Sequence, residues 1–234
     1  PILPTAHYSM GGIPTDLYGH VLADEKGTIV KGFYAAGECA CVSVHGANRL
    51  GTNSLLDAVV HGRRTGKTLV KYLREAEFSP LPDDAEKKDR EMFANLYGTS
   101  SGENADKIRL RLKEEMTNKC GVFRNEKDLN SMLDTIHELE HKFKNVHLSC
   151  KGKVFNTELM EIIELGNLLE FSDAIVTGAL ARQECRGAHW RTDHPKRDDV
   201  NWLKHTIAFK TEKGIELKYK PVVINKYQPQ ERKY

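Results

Sequence analysis

The chain has 234 residues, room for one large domain or two small ones. It is 39% hydrophobic and 29% charged, enough for a core under a solvated surface, and its net charge of +2 argues against nucleic acid as a partner. No apolar run approaches the roughly 18 residues of a membrane span, no signal-peptide pattern is read, and the five cysteines lack disulfide-framework spacing, which suits a reducing compartment.

The chain opens on Pro1 rather than methionine, so a cut or processed start is expected. Residues 1–36 read as strands and turns. "HYSMGGIPTD" carries the Gly11–Gly12 pair and Pro14, a turn signature. "VLADEKGTIVKGFYAAG" is broken at Lys26–Gly27 and Gly32 and reads as a hairpin followed by a short buried strand. From Ser54 to about Glu75, Leu55, Leu56, Val59, Val60, Leu69, Val70 and Leu73 recur at helical spacing. Residues 79–104 carry prolines, charges and a Ser/Gly-rich end, and read as a linker with room for one short helix.

Three helices follow. The first, about 105–119, places Ile108, Leu112 and Met116 four apart. The second, about 126–145, aligns Leu129, Leu133, Ile136, Leu139 and Phe143. The third, about 157–183, is apolar at Leu159, Ile162, Ile163, Leu168, Leu169, Ile175 and Leu180. Together they predict a helical bundle. Beyond Gly187 the chain turns polar and aromatic, then "HTIAFKTEKGIELKYKPVV" reads as a hairpin about Lys213–Gly214.

The densest chemistry lies in "HGANRLGTNSLLD", residues 45–57. Asn53 or Ser54 is a good N-cap for the helix that starts there. A first helical turn has unpaired N–H groups and partial positive charge, so it accommodates an anion. Arg49 just upstream can grip a carboxylate or phosphate with two prongs, and Gly46 and Gly51 allow close approach of the backbone. The residues fit an anion or cofactor site; they fit equally an ordinary loop with a good cap.

Three blocks decide between these by resemblance. "PTAHYSMGGIPTD" (4–16), "GFYAAGECACVSVHGANRLGTNSLLDAVVHGRRTG" (32–66) and "RQECRGAHWRTDHPKRDDVNWLKHT" (182–206) together resemble the flavoprotein subunit of succinate dehydrogenase and fumarate reductase. L-aspartate oxidase is similar in the first two blocks, in weaker form. The resemblance implies an α+β chain: the C-terminal part of an FAD-binding domain (1–77), a linker (78–104), a helical bundle (105–189) and a C-terminal unit with a β-hairpin (190–234). It implies succinate–fumarate interconversion on FAD. His7 and Arg49 would bind the carboxylates of a dicarboxylate, and Glu38, Asn53, Ser54 and Leu55 would contact the cofactor, with His45 in support. Implied partners are the N-terminal part of the same flavoprotein, an iron–sulfur subunit and, indirectly, membrane anchor subunits. The implied location is the cytoplasmic face of a bacterial or archaeal membrane, or the matrix face of the inner mitochondrial membrane.

This chain has no G-x-G-x-x-G loop for the FAD pyrophosphate. The family's capping domain, with its proton-transferring arginine, has no counterpart here either, so the chain by itself is expected to be inactive. Other signals compete. "HELEH" at 137–141 fits the zinc-protease pattern, with Glu138 as base and His147 as a conceivable third ligand, but a short pattern on a charged helix also arises by chance. A bundle serving only as an interaction module is a further alternative. Cys39 and Cys41 lack a second pair for metal, and Gly62 and Gly66 suggest close helix packing. Arg186 and His189 could approach the flavin region or tie the third helix to the tail.

Overall fold

The computed structural model describes residues 7–230. It is an α+β arrangement in which short strands come first, helices fill the middle and a hairpin closes the chain. Near the start, β1 (Ile13–Pro14) lies parallel to β4 (Ala40–Cys41), and β2 (His20–Leu22) pairs antiparallel with β3 (Ile29–Tyr34). The β2–β3 turn follows from its sequence. Asp24 accepts the N–H groups of Lys26 and Thr28, and Gly27 takes the left-handed φ of 92°. Within residues 21–37 no separate buried strand follows this hairpin; the next strand is β4, where Ala40 is buried. Strand β3 runs through Gly32 to Tyr34 with Phe33 exposed, and a register shift that spans Gly32, at a φ of 81°, separates the Leu22–Ile29 pair from the His20–Tyr34 pair.

Helix α1 (Asn53–Leu73) comes next. Its amphipathic pattern is as expected, but among the described residues its apolar face has no cover. Leu55, Leu56, Val59, Val60, Val70 and Leu73 are all exposed, and the buried positions of the helix are Asp57 and Thr65. Gly62 and Gly66 meet nothing within 4 Å of a Cβ position, so the close packing expected of them is not made here. Helix α2 (Lys87–Gly98) falls in the stretch read as linker and buries no residue.

The core belongs to α3 (Ala105–Cys120), α4 (Glu126–Phe143) and α5 (Thr157–Ala181). Each starts on an asparagine whose side chain accepts an N–H three residues on: Asn104 from Lys107, Asn125 from Asp128 and Asn156 from Leu159. Each has an acidic residue in its first turn. Ile108, Leu112, Leu129, Met132, Ile136, Leu139, Ile162, Leu165, Leu169 and Val176 close the core, each fully buried side chain contributing about 1.5–3 kcal/mol.

The stripe of α5 differs from the sequence reading. Its buried positions are Ile162, Leu165, Leu169, Ser172, Val176 and Ala179, whereas Leu168 and Ile175 are partly exposed. Acidic and apolar residues alike are spread around this helix, so its sequence does not single out the inward face. The three- and four-residue steps of the buried set show that packing on α4 chose it.

After α5 the chain returns to the bundle's end. Strand β6 (Trp190–Arg191) lies parallel to β5 (Phe123–Arg124), between α3 and α4 in sequence. Arg191 is fully buried; its guanidinium donates to the carbonyls of Ala179 and Leu180 and forks onto Asp193. That pairing holds the Asp193 carboxyl well below the usual carboxylate range. The hairpin of β7 (Lys204–Thr211) and β8 (Gly214–Pro221) pairs from Lys204 opposite Pro221 to Thr211 opposite Gly214. Among the described residues no helix is long and apolar enough to cross a membrane.

Candidate functional site

The "MGG" turn is built to bring two segments together. Gly12 has a φ of 117°, and a Cβ there would lie 2.4 Å from the carbonyl oxygen of Cys39. Only glycine lets Ile13 and Thr15 donate to Cys39 and Cys41 across the β1–β4 pair. The residues just before this turn therefore sit over the turn at 37–39. The Glu38 carboxylate accepts the N–H of Ser9 at 3.1 Å.

Tyr8 reaches the polar loop 45–49. Its hydroxyl is 3.2 Å from His45 Nε2, and the two rings meet edge to face with centroids 5.2 Å apart. The guanidinium carbon of Arg49 lies 4.9 Å from the centre of the same Tyr8 ring, a cation–π contact. Burial and the charge of Asp57 raise the Tyr8 phenol pKa, so the hydroxyl keeps its proton. His45 Nε2 is also 3.1 Å from Asp57 Oδ2, while Asp57 Oδ1 takes His61 Nδ1 at 2.7 Å. A carboxylate only accepts, so both imidazole nitrogens facing Asp57 carry protons. Beneath Asp57 and His61, a cavity of about 10 Å³ is lined by Thr15, Asp16, Gly19 and Thr65. The buried Thr65 hydroxyl has no partner among the described residues, and the space suits one water.

Two features of this region leave positive potential unspent. The Arg49 Nε is buried and has no hydrogen-bond partner among the described residues. Helix α1 begins without a side-chain cap and without an acidic residue in its first turn. The cap expected from Asn53 or Ser54 is not made. Asn53 turns its amide toward His45 Nδ1, at 3.4 Å, and Thr52 takes the N-cap position in the left-handed region at φ 65°. A β-branched residue rarely adopts that conformation, and such outliers concentrate at ligand sites.

Of the residues expected to act, Arg49, Asn53, Ser54 and Leu55 lie together around the start of α1, and Leu55 is 70% exposed. His7 is exposed and precedes Tyr8, and Glu38 is exposed beneath Ser9. Sequence reasoning missed Tyr8 and Asp57. The signal for Asp57 was present: it precedes His61 by four positions on a helix, a pairing distance.

The C-terminal block also touches this loop. The Ala188 N–H donates to the Ala47 carbonyl at 2.9 Å, and a Cβ on Gly187 would come within 2.4 Å of that oxygen. The turn is braced from behind by Glu184, which is fully buried and paired with Arg182 and Arg186; Arg186 also reaches Asp199. His189 is held between the Arg182 carbonyl and Arg124, and burial pushes its pKa down to about 4. Arg186 and His189 thus tie the tail to the third bundle helix, while Gly187–Ala188 carries the contact with the loop.

"HELEH" is engaged otherwise. Glu138 is held by Arg111 and Lys142, and His137 is 59% exposed and faces Asp173 at 3.9 Å. Among the described residues no group of three His, Cys, Asp or Glu side chains converges as metal ligands.

Comparison with known proteins places the chain. Residues 109–234 match the family model for the fumarate reductase flavoprotein C-terminus, and residues 1–55 match that of an FAD-binding domain. The succinate dehydrogenase flavoprotein subunit of Coxiella burnetii is 43% identical over 227 residues, 95% of this chain and 38% of that protein. The fumarate reductase flavoprotein subunit of Haemophilus influenzae is 39% identical over 237 residues, 100% of this chain and 38% of that protein. A solved structure of E. coli quinol fumarate reductase superposes with a TM-score of 0.86 at 38% identity, over 99% of this chain and 39% of that one. The chain spans about two fifths of the length of the curated relatives it matches. It belongs to the fumarate reductase flavoprotein family.

Proposed function

We propose, from that membership, that this chain forms the substrate-carboxylate and flavin-facing side of an enzyme that interconverts succinate and fumarate. The observation that carries the reading is the unpartnered, buried Nε of Arg49 beside an uncapped helix start. Among the described residues the Arg49 Nε has no partner and the first turn of α1 has no acidic residue, and these positive groups fit a dianionic substrate next to a cofactor that becomes negatively charged on reduction. The exposed Leu55 offers an apolar surface for a flat ring.

FAD, when bound, supplies the two-electron chemistry. The chain's own residues bind and orient. Arg49 forks onto one carboxylate, and His7 binds the other by a charge-assisted bond. Asn53, Ser54 and Leu55 present the helix start to the cofactor, and Glu38 contacts it from the adjoining turn. Fixing both ends of a dicarboxylate turns one C–H bond toward the cofactor and limits its freedom to rotate. In this reading the remainder of such a flavoprotein supplies the pyrophosphate loop and the proton-transferring group. An iron–sulfur subunit takes the electrons, and the assembly sits peripherally at a membrane through anchor subunits.

The test is Arg49→Lys in the complete flavoprotein. Lysine keeps the charge and loses the fork, so kcat/KM for succinate should fall about a hundredfold or more at unchanged FAD content. An unchanged kcat/KM removes Arg49 from the site.

A further inference from the structure

Asp57 carries a buried negative charge one turn into α1, and the reading above gives it no task. It is 5% exposed, and each of its oxygens is spoken for. Oδ1 is held by His61 one turn further along the same helix, so the carboxylate cannot swing. Oδ2 holds His45 Nε2, which fixes the imidazole at the head of the loop that carries Arg49. The same nitrogen meets the Tyr8 hydroxyl at 3.2 Å, and the Tyr8 ring lies against the Arg49 guanidinium.

We propose that Asp57 is the positioning residue of the anion site: through His45 it locks the Tyr8 ring, and the Tyr8 ring holds the Arg49 guanidinium in place. The inference rests on Arg49 binding a substrate carboxylate. Among the described residues the guanidinium otherwise makes one marginal bond, from Nη1 to the Leu50 carbonyl at 3.5 Å, and its Nε has none. An arginine so lightly tethered loses binding free energy whenever its side chain must be ordered by the ligand. The Tyr8 ring removes that disorder beforehand while leaving the N–H groups free for the ligand. Because Tyr8 directly follows His7 in the chain, the same lock sets the backbone on which the second carboxylate contact depends. His61 serves the lock from behind, and its loss leaves the bond between Asp57 and His45 in place.

A double-mutant cycle read by malonate binding to the complete flavoprotein tests this. Asp57→Asn leaves one acceptor for two histidine N–H groups and should weaken malonate about tenfold at unchanged FAD content. Tyr8→Phe keeps the ring but loses its link to His45, and should weaken malonate about threefold. The double variant should be no weaker than Asp57→Asn alone, because both act through one chain of contacts; independent effects would multiply to about thirtyfold. His61→Gln should cost only about twofold. Multiplying effects, or equal losses from Asp57→Asn and His61→Gln, overturn the proposal. If Asp57→Asn does not fold, the cycle runs on His45→Gln with Tyr8→Phe under the same criterion. A parent protein that binds FAD but not malonate refutes the substrate reading itself and is distinguished at the first measurement.

Discussion

Helices α1 and α4 are both amphipathic and of similar length, 21 and 18 residues, yet their surroundings are opposite. Helix α4 begins on a capping asparagine with acidic residues in its first turn, and it buries Leu129, Met132, Ile136 and Leu139 almost completely. Helix α1 begins on a strained threonine with no side-chain cap, and it buries an aspartate and a threonine while all but one of its leucines and valines are exposed. The difference separates a helix closed by its own cap and core from one whose end and apolar face stay open among the described residues. Where α4 closes its first turn with a side-chain cap and buries its apolar stripe, α1 has only backbone turns at Asn53 and Leu55 and leaves most of its apolar side chains exposed.

The largest expected effect breaks the contrast from the bundle side. Leu165 has no exposed surface, so Leu165→Ala should cost about 2–5 kcal/mol. Denaturant unfolding of the complete protein should register the loss across the bundle, and hydrogen exchange in α1 should barely change. If α1 exchange rises in step, the two regions unfold as one unit.

Gly187→Ala sharpens the contrast at the place where the regions meet. It forces a side chain into a φ of 59° and onto the Ala47 oxygen, a strain of about 1–3 kcal/mol. Exchange at residues 45–49 should quicken and malonate affinity should drop, with the bundle's unfolding midpoint unmoved. A variant with slow exchange at 45–49 would show that the tail does not brace the loop.

The smallest effect compares the two helix starts directly. Asn125→Ala should cost about 1 kcal/mol, the usual value of a lost cap. Thr52→Gly should cost nothing or stabilise slightly, because Thr52 makes no cap bond and glycine relieves its positive φ. Equal losses in the two variants would mean that the start of α1 is closed like the others.

Local pattern determined much of this protein. Asparagine caps, four-residue spacing and the Lys213–Gly214 turn specify α3, α4 and the final hairpin, because each depends on neighbours within a few positions. The blocks around His7 and Arg49 carried the family, since long specific motifs survive without three-dimensional information. Only the tertiary structure decided which face of α5 is buried, since a helix whose apolar and acidic residues are mixed on all sides is oriented by its partners alone. It also overruled the expected cap at Asn53, whose side chain found His45 across a loop instead of the helix N–H groups beside it. The same holds for the chain from Asp57 through His45 and Tyr8 to Arg49, and for the Gly187 turn seated on Ala47. These contacts join residues far apart in sequence, and such pairings exist only once the strands and loops that carry them have been folded together.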